Sequence, residues 1–275
     1  MNQPDRFDFL IDSFPFAQSI AKILLGLENL AKKSQLYTVQ LDSFPGIFTN
    51  HLFQSLTKFT APENPKIHCL IQESDPEKYN RLKTVINAKQ INCQISNDSE
   101  ETLLNSNNPE VIILNNILST ETNLEKRLTN LAKSQEALLI IGCELSNKKC
   151  PQLNNLDGYE LWSFKNHHLS HYAYINKKLD VEKMSELLDA EFKNNNACEQ
   201  YLDLVLALNQ FTSPQTIEQC KFLLDELLKL DSCSANTHFL IAKFFKINGN
   251  KAKASEHFKT AKLLDPYSLL KIPAH

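Results

Sequence analysis

A doubly wound α/β sheet followed by an all-helical segment is the fold class that this 275-residue chain predicts. Three observations lead there. Short, nearly continuous apolar runs, LYTVQL (36–41), KIHCLIQ (66–72), EVIIL (110–114) and ALLIIG (137–142), alternate with amphipathic stretches. Such runs suit strands buried on both faces of a parallel sheet, with the stretches between them as crossover helices. Two further runs, 159–164 and 171–175, lie too close together for a crossover and predict an antiparallel hairpin. Beyond residue 176 only the helical period persists.

The first element is a helix from about Pro15, with Phe16, Ile20, Ile23, Leu24, Leu27 and Leu30 on one face. Asp12 or Ser13 suits its N-cap region, and Lys32 and Lys33 suit its C-terminal end. Strand 36–41 follows, then the turn Asp42-Ser43-Phe44-Pro45-Gly46 and a helix over 45–59 that aligns Phe48, Leu52, Phe53 and Leu56. Strand 66–72 leads to a helix over 76–89, whose periodic residues are Tyr79, Leu82 and Ile86. A short strand 91–96, a helical turn 100–104, strand 110–114, a helix over 121–133 and strand 137–142 complete the alternation.

The Asn194-Asn195-Asn196 run punctuates the change to helix-only sequence. The expected organisation is an N-terminal helical segment (1–35), an α/β domain (36–178), a helical linker (179–200) and a repetitive helical domain (201–275). In 235–266, small residues fall at Ala242, Gly249, Ala254 and Ala261. Large apolar residues fall at Ile241, Phe245, Phe258 and Leu264, and Pro266 closes the segment. Helix pairs stacked on one another need small residues where their backbones approach. A looser copy lies 34 residues earlier, keeping Ala207, Phe211, Leu224, Leu227 and Leu230 but placing Gln215 at the turn glycine and Cys220 at a small position. This pattern resembles tetratricopeptide repeats.

Composition narrows the function classes. Net charge is −3, charged residues make up 22% and apolar ones 42%, which predicts a globular protein with no nucleic-acid or membrane signature. No apolar run reaches the roughly 18 residues of a membrane span, and MNQPDRFD lacks the basic start of a secretory leader. The seven cysteines are odd in number, scattered and without a CxxC, so buried free thiols and a cytoplasmic location are expected. Cys143 and Cys150 are too weak a pair to predict a metal or disulfide site. His167, His168 and His171 form the densest group of potential ligands, but neighbouring turn histidines point apart and no acid adjoins them, so no metal is expected.

Residues 36–176 together resemble a class I S-adenosylmethionine-dependent methyltransferase. The segment VQLDSFPGIFTNHL (39–52) is similar to the family's first strand and cofactor loop, with a single glycine present. The resemblance implies that Asp42, Phe44 and Gly46 line the methionine part of S-adenosylmethionine. In IHCLIQESDPEKYNRLKTVINA (67–88), Glu73, with Ser74 beside it, falls where an acid holds the ribose hydroxyls. In INCQISNDSEETL (91–103), Asn97 or Asp98 falls where a side chain meets the adenine amino group. In PEVIILNNIL (109–118), Asn115 and Asn116 fall next to the methyl acceptor. All these positions lie at the carboxyl ends of strands, where open α/β sheets bind ligands.

Structural alternatives exist for each. Asp42 is also a helix cap and Gly46 a turn former, and any of Glu73, Ser74 and Asp75 can start the helix at Pro76. No catalytic residue is assigned. The general-base types in question are Asp98, His167, His168 and His171. In the repeats, Asn209, Asn236, Phe239, Lys243 and Lys246 match the concave positions that meet a peptide, and an acidic tail would suit the lysines. Two functions follow: methyl transfer to a protein or small-molecule acceptor recruited by the repeats, or a catalytically inactive methyltransferase-fold scaffold that binds a protein partner through them.

Overall fold

The computed structural model describes residues 14–41, 47–59, 67–88, 93–114, 124–134, 137–145, 156–165, 169–195, 217–232 and 235–264, with 197, 200, 203 and 204. The chain forms two compact units, Gln18–Asn196 and Met1–Ala17 with Ala197–His275.

The first unit is a mixed α/β fold built on seven strands. In chain order its elements are α1 (Phe14–Ala31, of which Gln18 onward belongs to this unit), β1 (Leu36–Leu41), α2 (Ile47–Phe59), β2 (Ile67–Gln72), α3 (Pro76–Ala88) and β3 (Gln94–Ser96). Then come α4 (Glu100–Asn107), β4 (Val111–Leu114), α5 (Leu124–Ser134), β5 (Leu139–Leu145), β6 (Tyr159–Lys165), β7 (Leu169–Asn176) and α6 (Val181–Leu188). A π-helical turn, Asp189–Lys193, continues α6. The sheet order is β3-β2-β1-β4-β5-β7-β6. The first five strands are parallel, and β7 enters antiparallel between β5 and β6.

The apolar runs are strands because both faces are covered. Alternate side chains point to opposite faces. Val39, Leu41, Ile112, Leu114 and Ile140 meet Leu103 and Leu104 of α4 and Leu128 and Leu131 of α5. On the other face Cys69 and Ile71 meet Leu82 and Ile86 of α3, and Gln40 meets Thr49 of α2. Each fully buried Leu or Ile contributes about 1.5–3 kcal/mol of transfer free energy, so these rows dominate the unit's cohesion.

Register at the amino edge is fastened by one residue outside any strand. Glu110 accepts from Tyr37 N at 2.7 Å and from Lys33 Nζ at 2.6 Å, and its own amide donates to Tyr37 O at 2.9 Å. This aligns β1 with β4, the two strands at which the order reverses direction.

Several boundaries differ from the sequence expectation. Helix α4 runs to Asn107 rather than ending near 104, because Ser99 caps its start and Asn108 closes it in the left-handed region at φ 43°. Strand β5 extends to Leu145, since β7 offers pairing partners as far as Leu169. The segment expected as a helical linker, 179–200, is helical in α6 and the π turn. Lys22 of α1 bonds Glu191 at 3.2 Å, and Trp162 Nε1 of β6 donates to Asp189 at 3.0 Å. Helices α1 and α6 approach closely at Gly26, where an added Cβ would lie 2.3 Å from a Leu187 methyl.

The second unit holds α7 (Ile217–Leu230), α8 (Ala235–Ile247) and α9 (Lys251–Leu264). Leu224 and Leu227 pack with Leu240, Ile241 and Phe244. Ala242, Ala254 and Phe258 form the contact between α8 and α9. The turn joining them needs Gly249, whose φ is +77°, and Asn250 Oδ1 caps α9 by accepting from Lys253 N at 3.1 Å. Among the described residues no helix is long and apolar enough to cross a membrane.

Candidate functional site

The strand order reverses between β1 and β4, and open α/β sheets receive ligands at the carboxyl ends of the strands at such a point. One register row marks that edge: Ser96, Gln72, Leu41, Leu114, Gly142 and Tyr172 lie side by side on β3, β2, β1, β4, β5 and β7. The residues that follow this row are the candidates.

After β2 comes Glu73, only 5% exposed. Its amide donates to Ser96 O at 3.1 Å, so β2 and β3 remain paired one step past the strand end. Its Oε1 accepts from Asp75 N at 3.0 Å. Asp75 in turn caps α3, with Oδ1 accepting from Glu77 N at 2.9 Å and Lys78 N at 3.1 Å. The two acids therefore divide the work. Asp75 starts the helix, and Glu73 is held at the strand tip by a backbone amide. Ser74 is exposed between them.

After β3 come Asn97 and Asp98, both exposed. Ser96 Oγ donates to Asp98 Oδ2 at 2.7 Å and accepts from Asp98 N at 3.0 Å. Gln72 Nε2 reaches across to Asp98 O at 3.3 Å. Glu73 and Asp98 thus stand at adjacent strand tips, tied through Gln72 and Ser96. Asp42, Phe44 and Gly46, which follow β1, and Asn115 and Asn116, which follow β4, lie outside the described residues.

A polar chain that sequence reasoning missed joins β1, β2 and α2. Thr49 Oγ1 donates to Gln40 Oε1 at 2.8 Å, and Gln40 Nε2 donates to Cys69 Sγ at 3.0 Å. Thr38 Oγ1 donates to His68 O at 3.1 Å. Thr38, Gln40 and Thr49 are all buried. The Gln40–Thr49 bond ties the last part of β1 to the first turn of α2. The signal for it was a glutamine and a threonine inside otherwise apolar stripes. Burial pushes the Cys69 thiol up to about 11, against the hydrogen bonds from Thr38 and Gln40. Burial, with Cys69 nearby, pushes Cys93 up to about 12. Both are inert thiols at neutral pH.

At the far end of the row Gly142 makes room for Tyr172. A Cβ at Gly142 would lie 2.3 Å from the Tyr172 hydroxyl oxygen and 2.6 Å from Cζ, so the phenol ring occupies the place of a side chain.

Of His167, His168 and His171 only His171 is among the described residues. His171 is buried, its ring stacked on Phe192 at 4.3 Å between centroids, and burial pushes its pKa down to about 3. It is a neutral core residue of the hairpin. His167, His168 and Cys150 lie outside the described residues, and of Cys143 only the backbone is described. Among the described residues no group of three or more His, Cys, Asp or Glu is placed to hold a metal.

In the second unit Lys243 Nζ lies 5.8 Å from the Phe239 ring centroid, and Lys246 is exposed one turn further along α8. The side chain of Asn236 and the whole of Asn209 lie outside the described residues.

No family profile and no curated protein matches the chain. Solved structures similar to it include precorrin-6y C5,15-methyltransferase from Geobacter metallireducens, at 9% identity and a TM-score of 0.40, covering 56% of this chain and 87% of that one. They also include a SAM-dependent methyltransferase from Aquifex aeolicus, at 12% identity and a TM-score of 0.39, covering 56% of this chain and 89% of that one.

Proposed function

We propose that the α/β unit binds S-adenosylmethionine at the carboxyl edge of its sheet and transfers the methyl group to a protein or small-molecule acceptor. The observation that carries this reading is the pair of acids at adjacent strand tips. Glu73 is held by the Asp75 amide and Asp98 by Ser96, beside the point where the strand order reverses. Glu73 would accept from the ribose hydroxyls, and Asp98 or Asn97 from the adenine amino group. Asp42, Phe44 and Gly46 would meet the methionine end, and Asn115 would adjoin the acceptor. The cofactor supplies the activated methyl group. The protein's part is to hold donor and acceptor in line and to keep water out.

Calorimetry with S-adenosylmethionine and its demethylated product tests this. Micromolar binding is expected, weakened by at least about tenfold in Glu73→Gln, which keeps the shape but loses the charge-assisted bonds. No binding at near-millimolar cofactor, or equal binding by Glu73→Gln, overturns the assignment.

A second reading has its own support. The turn after β1 carries one glycine with Phe44 and Pro45 beside it, where close backbone approach to a ligand favours several glycines. The unit would then be an inactive scaffold, with function carried by tetratricopeptide repeats in the helical unit. The Gly249 turn and the small residues Ala242, Ala254 and Ala261 support that repeat reading. Phe239, Lys243 and Lys246, with Asn209 and Asn236, would then meet an acidic peptide. The double variant Lys243→Glu with Lys246→Glu is expected to weaken binding of acidic peptides by at least about tenfold, most at low salt. Unchanged binding removes this surface from the reading.

A further inference from the structure

The helical unit contains a pair of histidines that neither reading uses. His238 of α8 and His257 of α9 bring their Nδ1 atoms to 2.9 Å. The ring centroids are 5.1 Å apart and the planes differ by 29°. The centroid separation exceeds the nitrogen separation by about two ring radii, so the rings meet edge to edge with the Nδ1 atoms head-on. That line has room for one proton. His238 Nε2 lies 3.1 Å from Ser232 O, a carbonyl that can only accept, so Nε2 carries a hydrogen. In the neutral pair His238 Nδ1 is then the acceptor and His257 Nδ1 the donor, which leaves the His257 Nε2 lone pair for the next proton.

We propose that this pair is a pH-sensitive latch between α8 and α9, closed while its two Nδ1 atoms share one proton and opened when the pair is doubly charged. The first added proton goes to His257 Nε2, and the bridging hydrogen stays in line. The second has no place except on the remaining Nδ1, which sets two N–H groups head-on and breaks the contact. Both imidazoles are held below their ordinary value: His238 by burial against the opposing Ser232 carbonyl, His257 by burial and by His238.

The facing groups do not neutralise the second charge. On α9, Glu256 favours protonation of His257, whereas Lys253, whose Nζ lies 5.1 Å from the Phe245 ring, opposes it. Phe245 of α8 stacks on His257 at 5.9 Å. The turn before α8 contributes the Ser232 carbonyl and the buried Asp231. On α7, Lys229 is bonded to Glu226 at 2.6 Å and Asp225 is exposed. Lys243 and Lys246 of α8 are exposed and add positive charge to the same pair of helices.

The sign of the pH dependence follows from linkage. The unfolded chain takes up protons at these histidines near pH 6.5, above the point at which the folded pair does, so stability is full above that value and falls as pH drops below it.

The test is nitrogen-15 NMR of the histidines in the full chain, with amide exchange measured alongside. Around neutral pH a through-bond coupling between the two Nδ1 atoms is expected, and His257 Nε2 is expected to protonate first. As pH is lowered below 6.5 the coupling disappears, and protection of the amides in α8 and α9 falls about tenfold. In His257→Asn and in His238→Gln that pH-dependent fall is lost while helix content at pH 7.5 is kept. Absence of the coupling at neutral pH, or independent titration of both rings near pH 6.5 with pH-independent protection, overturns the proposal. The coupling is read on the unsubstituted chain, so the test stands even where a variant fails to fold.

Discussion

Replacing His171 by Phe is expected to flatten the acid side of the α/β unit's stability profile by on the order of 4 kcal/mol. The imidazole is buried in β7, and burial lowers its pKa from 6.5 to about 3. As pH falls below 6.5 the unfolded chain binds a proton there and the folded chain does not. Stability is therefore full above pH 6.5 and drains away down to about pH 3. Phenylalanine keeps an aromatic ring against Phe192 and removes the titrating nitrogens. Trp162, the only tryptophan, is buried on the neighbouring strand and reports unfolding of this unit by fluorescence. Urea titrations from pH 7.5 to pH 4 are expected to show the native chain losing roughly 3 kcal/mol more than His171→Phe over that range. Parallel losses in the two proteins would show that His171 titrates normally.

Gly142→Ala is the second large effect. The phenol ring of Tyr172 sits where the new methyl must go, with Cζ 2.6 Å from it, and Tyr172 is itself 2% exposed and packed edge-on against Tyr174. A ring enclosed this way cannot swing out as a surface chain would. Overpacking of this kind costs about 1–3 kcal/mol, and Val in place of Ala should reach the upper end. The expected measurement is a urea midpoint lowered accordingly with an unchanged slope. Tyr172→Phe removes the nearest atom, so the double variant should recover part of the loss, a coupling of about 1 kcal/mol. Strict additivity would place the ring elsewhere.

What was legible in the chain was whatever repeats along it. LYTVQL and EVIIL announce strands covered on both faces, and the hairpin follows from two strands without room for a helix between them. Glu73 and Asp98 were legible as positions because they directly follow strands, and a strand's end is a local property. Contacts between residues far apart in the chain carry no such periodicity. Gln40 and Thr49 stand in otherwise apolar stripes, and their bond to each other depends on how α2 packs on β1. Gly142 read as the end of a strand, because its partner Tyr172 is specified only by the register of β7 on β5. His238 and His257 sit 19 residues apart on helices whose pairing, not their composition, makes them meet. His171 was grouped with its chain neighbours, whereas its surroundings come from the π turn that brings Phe192 over it.

The sheet order also sets a timetable for synthesis. Strand β1 is made first among the strands but occupies the middle of the sheet, between β2 and β4. Its β2 side can pair early, but its other side stays open until β4 emerges, roughly 70 residues later, which is about 4–14 s at ordinary elongation rates. For that interval the nascent chain presents LYTVQL as an unpaired apolar edge, the kind of template that recruits a second chain. Crowded ribosomes making this protein would bring such edges together, so its yield in cells should depend on whatever shields β1 during those seconds.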